Sequence, residues 1–523
     1  MWFVAGALAG HLRRAMLAAL LLTEWLAPQI WIRANPTGTI TQGTTTLSSS
    51  SSQPATNQTS TSFPATNALA PYDQDRLPLH ARLELNNQRS PGTPELRVNA
   101  SVVYDNLWNL EHSLGIQYSF SPEQYKQGNQ WPFYDAPVLA DYSGFYRLPL
   151  GRPEPIEDKV PANPGGLGYD EATRKFNLPP PSGQPDLTFF AGRATIDAGP
   201  MTTHSEMITA NGANPSISQQ DVEDTQTVNQ DLGTRLSLPL PALGDFRSSF
   251  FGGLGFKIYQ VGSFKTNIFS ITQTNFDMGG NPILPPVYSE DYSALPAMIN
   301  RIEYLPLTLR YDASWRDSFG TAAFGLGLIF NPWFSSTTTI SSQGANTYLH
   351  GAKSLQNITG STESSGYWVV LNPGFSCSFS FYTNWTTVVR ADGQWASEPL
   401  IGSEQFGIGG VNSVRGYHEG EAFGDTGWHV SLEQQTPPLL VDLVRGRMPL
   451  TVRGSIYMDY ARIYLLDPQS SPGGTPLWGT GFGLTASVGS DLQARFLFSW
   501  PLISTSTTTA YQPFFNFSLT AQF

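Results

Sequence analysis

The chain ends on Phe515-Asn516-Phe517-Ser518-Leu519-Thr520-Ala521-Gln522-Phe523, in which Phe515, Phe517, Leu519, Ala521 and Phe523 alternate with Asn516, Ser518, Thr520 and Gln522. A period of two sends all the apolar side chains to one face and all the polar ones to the other. The segment is therefore a strand between a greasy and a wet environment. The same alternation runs through Asp491–Trp500, Leu96–Val102 and His112–Phe120. Such segments reach the ~9 to 11 residues that a tilted strand needs to cross hydrocarbon. Aromatic residues gather near segment ends, at Trp108, Tyr118, Phe120, Phe379, Trp385 and Trp500, where interfacial girdles form. A soluble sandwich also has two-faced sheets. Closure into a membrane barrel fits better, because the polar alternates are small or uncharged more often than in a soluble sheet and strands this long would otherwise expose open edges.

Composition agrees. Only 13% of the 523 residues are charged while 12% are aromatic, against roughly 25% charged in an ordinary soluble domain. No uninterrupted apolar run of about 18 residues follows the N-terminus, which argues against spanning helices. A net charge of −12 argues against nucleic acid as a partner, since such footprints are basic. The single cysteine, Cys377, allows no internal disulfide. No Gly-x-Ser-x-Gly elbow, His-Glu-x-x-His helix or phosphate loop occurs and the seven histidines are scattered, so no enzyme, cofactor or metal is expected.

Three parts follow. Arg13-Arg14 before the apolar run Ala15–Leu22 reads as a secretory signal over residues 1–34, cleaved before Asn35. A signal anchor continuing to Trp31 would be interrupted by Glu24 and Pro28. Residues 35–76 are Ser, Thr, Pro, Asn and Gln, with too little apolar surface to offset ordering entropy, and read as a disordered linker. Residues 77–523 form the barrel. Hairpins are expected at 80–88 with 95–107, 110–121 with 137–150, 186–196 with 230–240, 247–260 with 302–315, 318–331 with 366–380 and 383–397 with 427–436. Four strands at 451–463, 477–489, 490–502 and 512–523 complete sixteen, antiparallel and closed. The polar, Pro/Gly/Asn-rich segments 151–185, 197–229, 261–301 and 332–365 are expected as long loops on the cell-exterior side.

The most distinctive internal stretch is Glu404-Gln405-Phe406-Gly407-Ile408-Gly409-Gly410-Val411-Asn412-Ser413-Val414-Arg415-Gly416-Tyr417, followed by Gly424-Asp425-Thr426-Gly427 and Glu433. Read alone, Gly409, Gly410, Gly424, Asp425 and Gly427 are turn residues, and Arg415 is a fixed charge at a loop tip. With Gln394–Leu400 before it, the region resembles the sixth loop of two-partner secretion transporters of the haemolysin-activator type, within the outer-membrane translocation and assembly barrel superfamily. Leu83–Asn87 and Arg97–Trp108 resemble that barrel's first hairpin, and Tyr142–Leu150 its fourth strand.

The resemblance implies an outer-membrane pore that passes an unfolded polypeptide client to the cell surface or exterior. It implies a loop of about 399–427 folded into the lumen, where Val414, Arg415, Gly416 and Tyr417 form a lock with Asp459 on strand thirteen and with Glu433 as a second acceptor. Arginine suits this role because its planar fork binds a carboxylate through two parallel hydrogen bonds. Phe515, Phe517, Leu519 and Phe523 are the expected C-terminal assembly signal. The expected partners are the client, the barrel-assembly machinery and outer-membrane lipid, around a monomeric barrel. Two departures stand out: Ala461 occupies a family glycine position, and residues 35–76 have neither the length nor the periodicity of a polypeptide-transport-associated domain. A stand-alone channel or surface barrel, and an assembly factor, are the alternative functions.

Overall fold

Strands alternating between lipid and water can close on themselves only if both ends of the sheet pair, and in a computed structural model of the chain they do. The structure describes residues 78–124, 138–151, 167–210, 212–318, 320–342, 345–381, 384–442, 449–468, 474–489 and 491–522. The expected signal, the linker and Phe523 lie outside them.

The wall consists of β1 (Leu79–Asn86), β2 (Arg97–Leu107), β3 (His112–Phe120), β4 (Leu139–Pro149), β5 (Asp186–Met207), β6 (Ser216–Pro239), β7 (Phe246–Phe276) and β8 (Leu307–Arg316). It continues through β9 (Gly320–Phe330), β10 (Val369–Phe381), β11 (Trp385–Ala396), β12 (Thr426–Gln435), β13 (Pro449–Tyr464), β14 (Gly474–Val488), β15 (Leu492–Pro501) and β16 (Phe514–Gln522). Each strand pairs antiparallel with its neighbour. β16 returns to β1 through Arg82↔Gln522 to Asn86↔Ser518, closing a sixteen-stranded barrel.

The pleat sorts side chains as the sequence alternation requires. On β13, Ile456 and Met458 face outward at 63% and 46% exposure, while Tyr457, Asp459 and Ala461 are buried inside. On β16, Phe515 and Leu519 are exposed, whereas Asn516, Ser518 and Thr520 are buried. Exposed Trp108, Trp315 and Trp385 mark one rim, and Trp395, Trp428 and Trp478 mark the other. An apolar outer belt between two aromatic girdles is the surface of a membrane-spanning barrel. None of the described helices is long and apolar enough to cross a membrane.

Three of the four expected loops are not loops. β5, β6 and β7 run on through much of 197–229 and 261–301, and β7 alone has 31 residues, a length of roughly 100 Å at strand rise. Strands Pro282–Ala294 and Ala297–Tyr304 pair with its far part. Within 332–365 lie strands Phe334–Ser342 and Ala345–His350 and helix α1 (Ala352–Thr359). Beyond the bilayer both faces of a strand meet water, so stretches such as Gln219-Gln220-Asp221 lose the apolar alternation and read as loop.

The fourth segment, 151–185, is rooted at the other end from the one expected. It joins β4 to β5, so strand alternation puts it with the short turns 108–111, 240–245 and 317–319, away from the β11–β12 connection. Short turns mark the periplasmic rim of such barrels.

Candidate functional site: a charged lock inside the barrel

The connection between β11 and β12, here termed loop six (residues 397–425), folds inward because its glycines permit it. Gly409, Gly410 and Gly416 have φ of 101°, 107° and 100°, a region that side chains with a Cβ rarely adopt. Ser413 donates its amide to the Gly410 carbonyl at 3.2 Å, and Gly410 donates to Val414 at 3.2 Å. This compact turn presents Arg415 to the wall. Close approach is completed on β14, where a Cβ on Gly479 would stand 2.0 Å from the Arg415 carbonyl oxygen. The glycine absent at position 461 is therefore replaced in effect by one on the next strand. Ala461 itself is fully buried against Ile408, Val414, Tyr417, Ile463 and Leu477.

Arg415 is 2% exposed and Asp459 fully buried. The guanidinium donates from Nε to Asp459 Oδ2 and from Nη2 to Oδ1, each at 2.7 Å, the two-pronged geometry that makes arginine irreplaceable by lysine. Nη1 donates to Glu433 Oε2 at 2.6 Å, and the Arg415 amide donates to Asp459 Oδ2 at 3.1 Å. Burial alone would lower the Arg415 pKa, but Asp459 and Glu433 together raise it above the ordinary arginine value.

Two partners escaped the sequence reading. Ser431 Oγ accepts from Arg415 Nη2 at 3.0 Å and donates to Asp459 Oδ1 at 2.7 Å. The Tyr457 ring lies under the guanidinium, 3.5 Å from Cζ to centroid, a cation–π contact. The signal was available. Ser431 is two residues from Glu433 and Tyr457 two from Asp459, so each pair shares one strand face, and the β12–β13 register sets Ser431 opposite Asp459 and Glu433 opposite Tyr457.

Val414 and Tyr417 are buried beside the lock, and the Tyr417 hydroxyl lies 2.8 Å from the Ile503 carbonyl and 3.0 Å from that of Trp478. Asp425 is more than a turn residue. Its buried carboxylate accepts from the amides of Leu400 at 2.9 Å and Leu466 at 2.8 Å and from Gln405 Nε2 at 3.2 Å, tying the root of loop six together. Gly424 and Gly427 are not turn glycines either. They lie in strands Ala422–Gly424 and β12, where a Cβ would press on Ile463 and Phe406, at 2.8 Å in each case.

Glu404, also fully buried, accepts from Lys257 Nζ at 2.9 Å and from the Tyr304 hydroxyl at 2.7 Å, with Lys175 4.0 Å away. Burial alone would raise this carboxyl, but Lys257 and Lys175 hold it below the ordinary glutamate value. Glu419 behaves oppositely. Burial pushes it up to about 8, against the Val411 amide bond, with Asp170 and Glu171 adding to the rise. His418 Nδ1 lies 3.0 Å from Glu421, and His429 Nδ1 2.8 Å from Asp392. Among the described residues no group of three or more His, Cys, Asp or Glu is placed to hold a metal. Phe515, Phe517 and Leu519 lie on the outward-facing positions of β16.

A closed lumen containing a folded loop, pinned by one arginine to two carboxylates, can be compared with known proteins. No curated protein matches the sequence. CdiB from Escherichia coli is similar in fold, with TM-score 0.51 and 15% identity over 86% of this chain and 64% of that one. The chain thus spans somewhat under two thirds of that protein's length. CdiB from Acinetobacter baumannii aligns with TM-score 0.46 and 13% identity over 86% and 60% of the two chains. BamA from Haemophilus ducreyi lacking POTRA domains 1-3 aligns with TM-score 0.42 and 13% identity over 86% and 71%. Residues 288–486, from the projecting strands through loop six to β14, match the family described as haemolysin secretion/activation protein ShlB/FhaC/HecB. Over that region the chain is similar to this family, and its barrel shares the fold of CdiB from Escherichia coli.

Proposed function

We propose that this barrel carries an extended polypeptide outward across the outer membrane, with loop six held in the lumen as part of the path. The observation that supports it is the Arg415 lock: a loop that could lie in water is instead folded inward and pinned by a buried, two-pronged ion pair. Burying three charges without need is unfavourable, and a passive pore has no use for it. The match of residues 288–486 to the haemolysin secretion/activation family supports the same reading.

In this reading the client travels unfolded along polar wall positions such as Asn99, Ser101 and Gln117, and its folding outside draws it through. Residues 1–34 act as an export signal removed on arrival, and 35–76 as a tether. Phe515, Phe517, Leu519 and Phe523 are read by the barrel-assembly machinery, and the barrel works as a single copy. Arg415, Asp459 and Glu433 position the loop; no residue is assigned a catalytic role.

The test is a comparison of exported protein, by mass spectrometry of culture supernatant and cell surface, in cells lacking the gene and cells complemented with it. Complementation is expected to restore a polypeptide lost on deletion, and Arg415→Ala, at equal barrel amount in the outer membrane, is expected not to. Identical exported protein in all strains would refute the proposal.

A further inference from the structure

Residues 167–177 enter the lumen from the rim opposite to loop six. The segment between β4 and β5 starts and ends among the short turns, yet its hairpin, strands Gly168–Asp170 and Lys175–Asn177, reaches the far end of the barrel. There Glu171 accepts from Arg97 Nε at 2.7 Å and Nη2 at 3.1 Å, at the start of β2, and from Ser90 Oγ at 2.7 Å in the β1–β2 turn. Tyr169 meets Asn229 of β6 at 2.5 Å through its hydroxyl.

The hairpin also touches loop six. The Arg174 guanidinium stacks 3.6 Å from the Phe423 centroid and donates from Nη1 to the Gly402 carbonyl at 3.2 Å. Gly407 has room for nothing more, since a Cβ there would stand 1.9 Å from the Ala172 carbonyl oxygen. The two ingrowths therefore meet inside the barrel.

Resting on the reading of the barrel as a translocation pore, we infer that residues 167–177 are a releasable plug, which closes the lumen at rest and leaves it when an extended chain passes. The hold is of the right kind. The hairpin ladder has three residue pairs, Gly168↔Asn177, Tyr169↔Phe176 and Asp170↔Lys175. Only Gly168 and Ala172 of its residues are buried, the others being partly open to the lumen. Its tip carries Asp170, Glu171, Arg174 and Lys175, two charges of each sign, which water accepts readily once the hairpin is out. Few apolar side chains oppose departure: Leu167, which packs by Val103 and Phe145, and Tyr169, Ala172 and Phe176 are the main ones. An incoming polypeptide offers the same kinds of backbone and side-chain contact to Arg97, Asn229 and Phe423 that the hairpin gives up.

The test is single-channel recording of the full chain in planar bilayers in KCl. One variant replaces residues 168–177 by a Gly/Ser segment of equal length. Gly407→Val and Arg174→Ala instead loosen the contact with loop six and leave the hairpin sequence otherwise intact. Barrel integrity is read from heat-modifiable gel mobility. The replacement is expected to give long-lived openings with several-fold higher mean conductance, and the two point variants a higher frequency of brief openings. Conductance of the replacement equal to that of the unmodified barrel overturns the plug. Should the replacement fail to fold, point variants that open no more often than the unmodified barrel overturn it equally. Higher conductance together with unchanged export in Arg415→Ala cells keeps the plug and removes the translocation reading. Unchanged conductance with export lost in Arg415→Ala cells does the reverse.

Discussion

Two segments enter one lumen from opposite ends, and they are held by different chemistry. Loop six is built around Arg415, which is buried with both of its carboxylate partners and with Ile408, Val414 and Tyr417 packed beside it. The hairpin at 167–177 relies on a short ladder, one stacked guanidinium, a glutamate at its tip and single hydrogen bonds to Asp141, Asn229 and Gly402. Removing a partner from a buried pair strands a charge in a poorly solvated place, whereas loosening a half-open hairpin re-exposes groups that water accepts. One insertion is therefore a fixture of the barrel and the other a removable occupant, although both lie on the same path.

Breaking the fixture is expected to have the largest effect. Asp459→Ala leaves Arg415 with Glu433 as its one carboxylate and is expected to cost about 3–5 kcal/mol, read as a lower temperature for loss of the heat-modifiable barrel form. Arg415→Lys keeps the charge but loses the fork, and is expected to cost more than half as much. Asp425→Ala comes next. It orphans the buried amide of Leu400, at about 1–3 kcal/mol, frees the half-buried amide of Leu466, and loosens the root of loop six, visible as protease cleavage between 397 and 425.

The pH response sharpens the contrast where the two segments face each other. Burial, with Asp170 and Glu171 across the contact, pushes the Glu419 carboxyl of loop six up from 4.5 to about 8; Arg97 is the cation facing it. Between those values the folded state holds a proton that the unfolded chain has lost, so stability falls as pH rises through this window. Melting in detergent is expected to decline from pH 5 to 9, and Glu419→Gln to flatten that decline. Glu421 has the opposite sense. Burial opposes its charge, but bonds from His418, Thr505 and Thr507 hold it at about 2, so its contribution is lost as pH falls from 4.5 toward that value.

The smallest effect is expected at the removable segment. Arg174→Ala forfeits a cation–π contact of ~0.5–2 kcal/mol. It should leave barrel melting nearly unchanged while making 167–177 more accessible to protease.

Legibility in the sequence followed the physics of each region. The wall was readable wherever lipid lay on one side, as in β16, because there the pleat must alternate. It became unreadable in the outer parts of β6 and β7, where water lies on both faces and Gln, Thr and Ser serve equally well in strand or loop. Arg415 and Asp459 could be paired only through the resemblance of loop six and β13 to two-partner secretion transporters, and strand parity agrees, since Asp459 lies on the inward face. Ser431 and Tyr457 follow from the same parity argument combined with register, which needs the pairing of β12 with β13. The hairpin at 167–177 gave no such signal. Its strands span three residues each, too few for any periodicity, and its polar composition matches that of an external loop.

Hydrogen–deuterium exchange of the full chain in detergent micelles compares the two segments within one molecule. Amides of residues 409–417 are expected to exchange at the slow rate of the wall strands, since the Arg415 amide is itself bonded to Asp459. Those of 168–177 should exchange at least tenfold faster. Equal protection of the two segments, or faster exchange at 409–417, would contradict the division into a fixed lock and a removable plug.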